Sequence, residues 1–305
     1  MQQRYLITGG SGFLGIYWAN ILIKQGHKVT LLLNKKKIYP KNIKTIYITK
    51  GFSFNDFFKK KTFDIIINTA SLTNVDLCEK KPNLAKNIHE NFVENLSNAS
   101  KKYKIYLIHI STDHLFSGNK GFYKEIDRTK PLNIYAKTKL ESEKIIKKKL
   151  KQYLIIRGNF FGWAPTYKKS FSDWIISSIV KRKKIHVFED VKFTPLYVLN
   201  FIKISNMLIN KRLVGLYNVC SSEKISKYRF AKIIVKIFKL NENLIKKSSI
   251  RLSNLTQRPL DMSLSFNKTS KKLQLNPLQF SVLKQIKNLK LDQHKNLIKK
   301  IRNIK

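Results

Sequence analysis

Cysteine is nearly missing: the 305-residue chain has two, Cys78 and Cys220. They stand in unlike contexts without metal-ligand spacing, which excludes a disulfide framework and a cysteine-built zinc site. Long apolar runs are missing as well. None approaches the roughly 20 residues that a membrane-spanning helix needs, so no transmembrane segment is expected. The opening MQQRYLITGG enters strand-like sequence at once, without the apolar stretch of a signal peptide, and the expectation is a cytoplasmic protein. Acidic residues are scarce, 18 against 61 lysines and arginines, for a formal net charge of +43. Such an excess by itself points to nucleic acid or an anionic surface. Here it is mostly lysine, spread through every segment and accompanied by isoleucine and asparagine, the composition that AT-rich codons produce. Aromatic-rich sheet motifs and zinc-finger spacings are absent, so no nucleic-acid partner is expected; a lysine-coated enzyme with an anionic substrate fits better. With 43% hydrophobic residues the chain buries a sizeable core, which excludes disorder.

What is present is a regular alternation. The runs YLIT (5–8), VTLLL (29–33), TIYI (45–48), DIIIN (64–68), IYLIHIS (105–111) and YLIIR (153–157) are separated by helix-length segments. Strands apolar on both faces and joined by helices predict a parallel sheet covered on both sides, a doubly wound α/β fold of Rossmann type. After about residue 160 the rhythm loosens, with helices expected near 171–182, 196–211 and 226–239 and strands at 185–188 and 216–219. The division expected is a dinucleotide-binding domain over 1–160 and a smaller, mainly substrate-binding region over 161–305 that returns some elements to the main sheet. The last fifteen residues, LDQHKNLIKKIRNIK, are expected to fray in solvent, with a basic surface helix as the alternative.

Directly after the first strand comes TGGSGFLG, with Gly9, Gly12 and Gly15 spaced three apart, then a helical segment ending at Gly26 and the second strand. Within a strand-turn-helix-strand unit this is the dinucleotide fingerprint. Gly9 and Gly12 allow a tight turn and close approach of backbone to pyrophosphate, Gly15 lets the helix pack on the strand, and the helix N-terminus offers free N–H groups to the phosphates. At the end of the second strand, where an acidic residue would hold the ribose diol of NAD, the sequence has Asn34 followed by Lys35, Lys36 and Lys37. With no carboxylate to repel a 2′-phosphate, NADP(H) is preferred and NAD(H) stays open.

The stretch NIYAKTKLE places Tyr135 four residues before Lys139. Spacing decides nothing in so lysine-rich a chain, since Tyr228 and Lys232 form a second such pair, in an ordinary amphipathic helix. The setting of Tyr135 differs. A buried strand ends in Ser111, Thr112 and Asp113, and the pair opens a later helix, so both side chains point together towards the carboxyl ends of the strands, where an open α/β sheet binds its ligands. A cation beside a phenol is expected to lower its pKa from about 10 and ease proton exchange.

Together these residues resemble the extended short-chain dehydrogenase/reductases, and within them the dTDP-4-dehydrorhamnose reductase group. The resemblance rests on TGGSGFLG, on NTASLTNVDLCE (68–79), on STDHLFSGNKGFYKEIDRTKPLNIYAKTKLESEK (111–144), on GLYNVCSSEKISKYRFAKII (215–234) and on QRPLDMSLSFNK (257–268). It implies a catalytic triad of Thr112, Tyr135 and Lys139, with Tyr135 as proton donor, Thr112 bonded to the substrate oxygen, and Lys139 on the nicotinamide ribose while tuning Tyr135. It further implies cofactor contacts from Phe13, Leu14 and Ala70 besides the glycines, Asn34 and Lys35. Asp113 would line a sugar pocket, and Phe160 stands where the group carries a tryptophan. Arg258 is the candidate for a further substrate contact. His89 occupies the place of an asparagine that supports a water near the lysine; it either takes over that role or is a polar helix residue. The acidic residue that contacts adenine after the third strand is missing unless Asp56 substitutes. No metal is expected. The implied activity is reduction of a nucleotide-activated 4-keto-6-deoxy sugar in dTDP-rhamnose or other polysaccharide biosynthesis, and the resemblance allows a homodimer. The alternatives are a dinucleotide-binding regulatory protein without turnover, like the regulatory subunit of methionine adenosyltransferase, and a sugar-nucleotide epimerase or dehydratase.

Overall fold

The computed structural model describes residues 1–34, 37–38, 43–300 and 303–304, with the backbone alone for 37, 38, 297, 299, 300, 303 and 304. Seven strands form one parallel sheet: β1 (Arg4–Thr8), β2 (Lys28–Leu33), β3 (Lys44–Tyr47), β4 (Ile65–Asn68), β5 (Tyr106–Ile110), β6 (Tyr153–Arg157) and β7 (Gly215–Asn218). Their order across the sheet is β7-β6-β5-β4-β1-β2-β3. Every residue of β4 and β5 is buried, as expected for central strands with helices on both faces. The winding reverses between β1 and β4, and the carboxyl ends of those two strands, Thr8 and Asn68, flank the crevice where such sheets take their ligands.

Helix α1 (Phe13–Lys24) buries eight residues, Phe13 to Ala19 and Leu22, against one face of the sheet. Trp18 within it is fully buried and donates its Nε1–H to Asn206 Oδ1 at 2.8 Å. The other face is covered by α2 (Phe92–Lys102) and α3 (Ile134–Lys149), whose apolar stripes meet Leu6, Ile66, Leu107 and Ile155 of the strands. Beyond residue 160 the chain adds short two-stranded pairings, Phe160–Phe161 with Leu196–Tyr197 and Ile185–Phe188 with Ile245–Ser248, and sends β7 back to the edge of the main sheet. Helices α4 (Val198–Asn210) and α5 (Lys227–Ile237) pack among them.

The C-terminal segment departs from the frayed end that its charge predicts. It forms a helix at Lys295–Lys300, and Asn303–Ile304 pairs with Lys37–Ile38. Asp292 anchors it: the carboxylate accepts from Tyr17 Oη at 2.9 Å and from the backbone N–H of His294 at 2.8 Å, and Ile298 is fully buried.

Candidate active site

The glycine turn is shaped by contacts that a side chain would destroy. Gly9 has φ +68°, and a Cβ there would lie 2.6 Å from the backbone nitrogen of Ala70. A Cβ on Gly15 would lie 2.9 Å from the Gly9 carbonyl and 3.0 Å from Gly10 Cα. The turn closes through Gly12 N–H donating to Gly9 O at 2.8 Å. Gly12 then starts α1 with no side-chain cap, which leaves the first N–H groups of the helix for an anion. Gly9, Gly12, Phe13, Leu14 and Ala70 line one cavity with Ser11, Lys168 and Phe171. The fit to a dinucleotide is therefore backbone against phosphate. Tyr167 donates its hydroxyl to Ser11 O at 2.8 Å, which brings the loop before Phe171 over the turn. Asn34 is exposed just past the end of β2, and Lys35 lies outside the described residues.

A second cavity holds Thr112, Asp113, Tyr135, Lys139 and Phe160 together. Thr112 and Asp113 follow β5, while Tyr135 and Lys139 stand on the first turns of α3, started by Asn133, whose Oδ1 accepts from Ala136 N–H at 2.9 Å. Leu14, Thr69, Ser71, Thr73 and Phe160 line both cavities, so the glycine-turn cleft and the tyrosine pocket share a wall. Phe160 fills the junction with its ring 5.7 Å from Phe13 and 4.9 Å from Phe201.

Burial dominates the electrostatics. Tyr135 is pushed up to about 12 by burial, opposed by the neighbouring Thr112 and Ser71 hydroxyls. This is the reverse of the lowering expected from a neighbouring cation. Lys139 is itself buried, and its Nζ is hydrogen-bonded to Ile110 O at 2.7 Å and His109 Nε2 at 3.1 Å. Burial lowers Lys139 to about 8, with Glu143 acting against it. Asp113 is raised to about 6 by burial despite a 2.9 Å bond from Asn159 Nδ2. Beneath the site, Glu143 receives Arg157 through two bonds of 2.9 and 2.7 Å and Ser111 Oγ at 2.6 Å, which anchors the residue preceding Thr112.

His89 is a buried polar residue on a helical turn with both ring nitrogens engaged. It sits on a π-helical turn, Asn87–Asn91, with Nε2 accepting from Leu72 N–H and facing Ser71 Oγ, both at 3.0 Å, and Nδ1 2.7 Å from Thr138 Oγ1. A backbone N–H only donates, so Nε2 carries the lone pair and Nδ1 the hydrogen. His89 thus ties the loop after β4 to α3, and burial holds the ring neutral, at about 3.

Arg258 does not line the tyrosine cavity. Its guanidinium pairs with Asp76 at 2.7 Å, while Asp76 also accepts from Thr256 N–H and Asn133 donates to Gln257 O, so this segment is docked beside the start of α3. Asp56 is exposed, ion-paired to Lys59 at 3.6 Å, and lines neither cavity. The rival pair separates: Lys232 bridges to Glu242, and Tyr228 lies under Lys247 at 5.3 Å. Sequence reasoning missed His109, Ser71, His114 and Lys227. His114 lines the cavity edge-on to Tyr135 with ring centroids 5.5 Å apart, and burial, then Lys227 and Arg258, hold it neutral at about 3. The available signal was a lone polar ring inside each of two apolar stretches, IYLIHIS and STDHLF.

The sequence from residue 3 to residue 290 matches the family model described as the RmlD substrate binding domain. The chain belongs to this family. Within it, the chain is 27% identical to the dTDP-4-dehydrorhamnose reductase of Aggregatibacter actinomycetemcomitans, over 94% of this chain and 98% of that one. Its fold superposes on a crystal structure described as a hypothetical dTDP-4-dehydrorhamnose reductase from Sulfolobus tokodaii, with a TM-score of 0.78 and 30% identity, covering 88% of this chain and 94% of the other. It also superposes on the dTDP-4-dehydrorhamnose reductase of Bacillus anthracis in complex with NADP, with a TM-score of 0.80 and 24% identity over 95% and 99% of the two chains.

Proposed function

We propose that the protein is an NAD(P)H-dependent reductase of a nucleotide-activated 4-keto-6-deoxy sugar, with NADP(H) as the preferred cofactor. The observation that carries this reading is the shared wall: a cleft built for a dinucleotide opens at Leu14, Thr69 and Ser71 onto the pocket that contains Thr112, Tyr135 and Lys139. The bound cofactor supplies hydride to the sugar C4 carbonyl. Tyr135, protonated across the neutral range because burial holds it at about 12, gives its proton to that oxygen as charge develops on it. The Thr112 hydroxyl, which lines the same pocket, donates to the oxygen and steadies the charge. Lys139 holds the ribose side of the site, and Asp113 and Phe160 face the sugar. Lys227 adds positive charge near the pocket, and its field reaches Asp113 and His114, whereas Arg258 is occupied by Asp76. The region 161–305 is read as mainly substrate-binding, with β7 returned to the main sheet. A cytoplasmic location and a homodimer accompany this reading.

The test is NADPH consumption with a dTDP-4-keto-6-deoxy sugar. Turnover that falls at least about 100-fold in Tyr135→Phe and is unchanged in Tyr228→Phe supports the reductase. Nucleotide binding without turnover would instead support a regulatory binder, and turnover without net NADPH consumption an epimerase or dehydratase.

A further inference from the structure

The ring that follows Thr112 and Asp113 has its two nitrogens in unlike surroundings. His114 lines the tyrosine cavity, and its side chain keeps 15% exposure. Its Nδ1 is shut off from solvent and has no hydrogen-bond partner. Burial, then Lys227 and Arg258, holds the ring neutral, so one nitrogen alone carries a hydrogen. A buried N–H without an acceptor is the rarer of the two orphans, which leaves the lone pair on Nδ1 and the hydrogen on Nε2. Nε2 lies 4.0 Å from Asp113 Oδ1, beyond hydrogen-bond reach. Asp113 Oδ2 accepts from Asn159 Nδ2 at 2.9 Å and Oδ1 from the Thr112 hydroxyl at 3.3 Å, and an ionised carboxylate has room for a further donor. A donor and an acceptor thus face each other across a gap of one hydroxyl. An oxygen about 2.8 Å from each spans it, accepting from Nε2–H and donating to Oδ1.

We propose that His114 is a specificity-determining residue: together with Asp113 it holds one hydroxyl of the substrate sugar, the one at C3, beside the carbonyl that is reduced. The inference rests on the reductase reading. A 4-keto-6-deoxy hexose joined to its nucleotide through C1 has free hydroxyls at C2 and C3 alone. Tyr135 marks the C4 end of that sugar, and the His114 ring stands edge-on to it, with centroids 5.5 Å apart and planes at 86°. The hydroxyl next to C4 is therefore the one that the pair reaches. The same edge-to-face contact fixes the imidazole, so the Nε2–H is oriented before a ligand arrives. Asp113 is raised to about 6, which leaves it ionised at pH 7.5, and the Lys227 charge favours that form. A sugar without the C3 hydroxyl would leave the N–H and the buried carboxylate unjoined, which is how a polar pair rejects a ligand that lacks its partner group.

The test pairs changes in the protein with a change in the ligand. Dissociation constants of a dTDP-6-deoxyhexose and of its 3-deoxy analogue are measured by titration calorimetry at pH 7.5, with NADP present, for the parent, His114→Phe and His114→Gln. Phenylalanine keeps a ring against Tyr135 and removes both nitrogens; glutamine returns an amide N–H near the place of Nε2. The parent should bind the complete sugar at least about 10-fold more tightly than the analogue. His114→Phe should bind the two nearly alike, and His114→Gln should regain part of the difference, while NADPH affinity stays the same in all three. A parent that does not discriminate, or a His114→Phe that discriminates as well as the parent, would overturn the proposal. So would a His114→Phe that loses NADPH along with the sugar, which would make His114 part of the framework of the site. Each of these leaves the reductase reading standing as long as the parent consumes NADPH with a dTDP-4-keto-6-deoxy sugar; a parent that consumes none removes both.

Discussion

His89 Nδ1 lies 2.7 Å from Thr138 Oγ1, three residues past Tyr135 on α3, while the opposite ring nitrogen takes the backbone N–H of Leu72. One neutral ring thus joins the loop that walls both cavities to the helix that carries Tyr135 and Lys139. Replacing it with leucine keeps the volume but leaves a buried N–H and two hydroxyls without their partner. His89→Leu should lose about 1–3 kcal/mol in urea unfolding, and because Ser71 and Leu72 are released it should also weaken NADPH binding several-fold. Unchanged cofactor affinity in a destabilised variant would make His89 a purely structural residue.

The cofactor preference tests a position at the end of β2. Lys35→Glu sets a carboxylate where a 2′-phosphate is expected, adding like-charge repulsion that a ribose hydroxyl does not feel. Binding of NADPH should weaken more than binding of NADH, measured as the two dissociation constants by fluorescence. Equal losses would take Asn34 and Lys35 out of the site.

Asp113 gives a prediction in pH. Its folded pKa, about 6, lies above the unfolded value of 3.8, so between these pH values the folded protein binds the extra proton. Stability from this group therefore falls as pH rises through the window, by up to about 3 kcal/mol by pH 7. Asp113→Asn removes the penalty while the amide can still meet Asn159. The variant should gain melting temperature relative to the parent at pH 7 and not at pH 4, and should lose turnover if the carboxylate orients the sugar. Parallel melting curves at both pH values would show that Asp113 ionises without cost.

Strand and helix placement was legible because the apolar runs 5–8, 64–68 and 105–111 are hydrophobic on both faces, a pattern that only a covered parallel strand satisfies. The glycine turn was legible for a similar reason: Gly9 and Gly15 answer to backbone atoms close in sequence or on the adjoining strand. The Tyr135 and Lys139 pair was placed correctly on one helix, yet its electrostatics were not. Spacing says that two side chains share a face; it does not say that both are buried or that Lys139 turns to Ile110 and His109. His109 lies on β5 while Asn68 and Ser71 belong to the end of β4 and the loop after it, and their juxtaposition exists only once β4 and β5 are in register. The anchoring of the C-terminal segment by Tyr17 and Asp292 likewise joins residues from opposite ends of the chain, beyond what local charge reveals.

Lys139→Met separates the lysine's catalytic role from its cost to the fold. Methionine keeps the helix and much of the volume, so α3 should form as before. Turnover should drop at least about 100-fold, the scale of general acid–base catalysis, while the nucleotide sugar still binds. Stability should respond through its dependence on pH. The folded pKa of Lys139, about 8, lies below its unfolded value of 10.5, so between these values the unfolded chain holds the extra proton. The parent therefore gains stability as pH rises from about 8 towards 10.5, by an amount on the order of 3 kcal/mol. The variant lacks that group and should gain correspondingly less across the same interval, every other lysine being common to both. The loss of the bonds to Ile110 and His109 lowers the variant's curve at all pH values, and the difference in slope isolates the titration from that constant offset. Urea unfolding of both proteins at pH 7.5 and pH 10 measures it; equal slopes would mean that Lys139 keeps its proton in the folded state as readily as in the unfolded one, and that burial does not shape its chemistry.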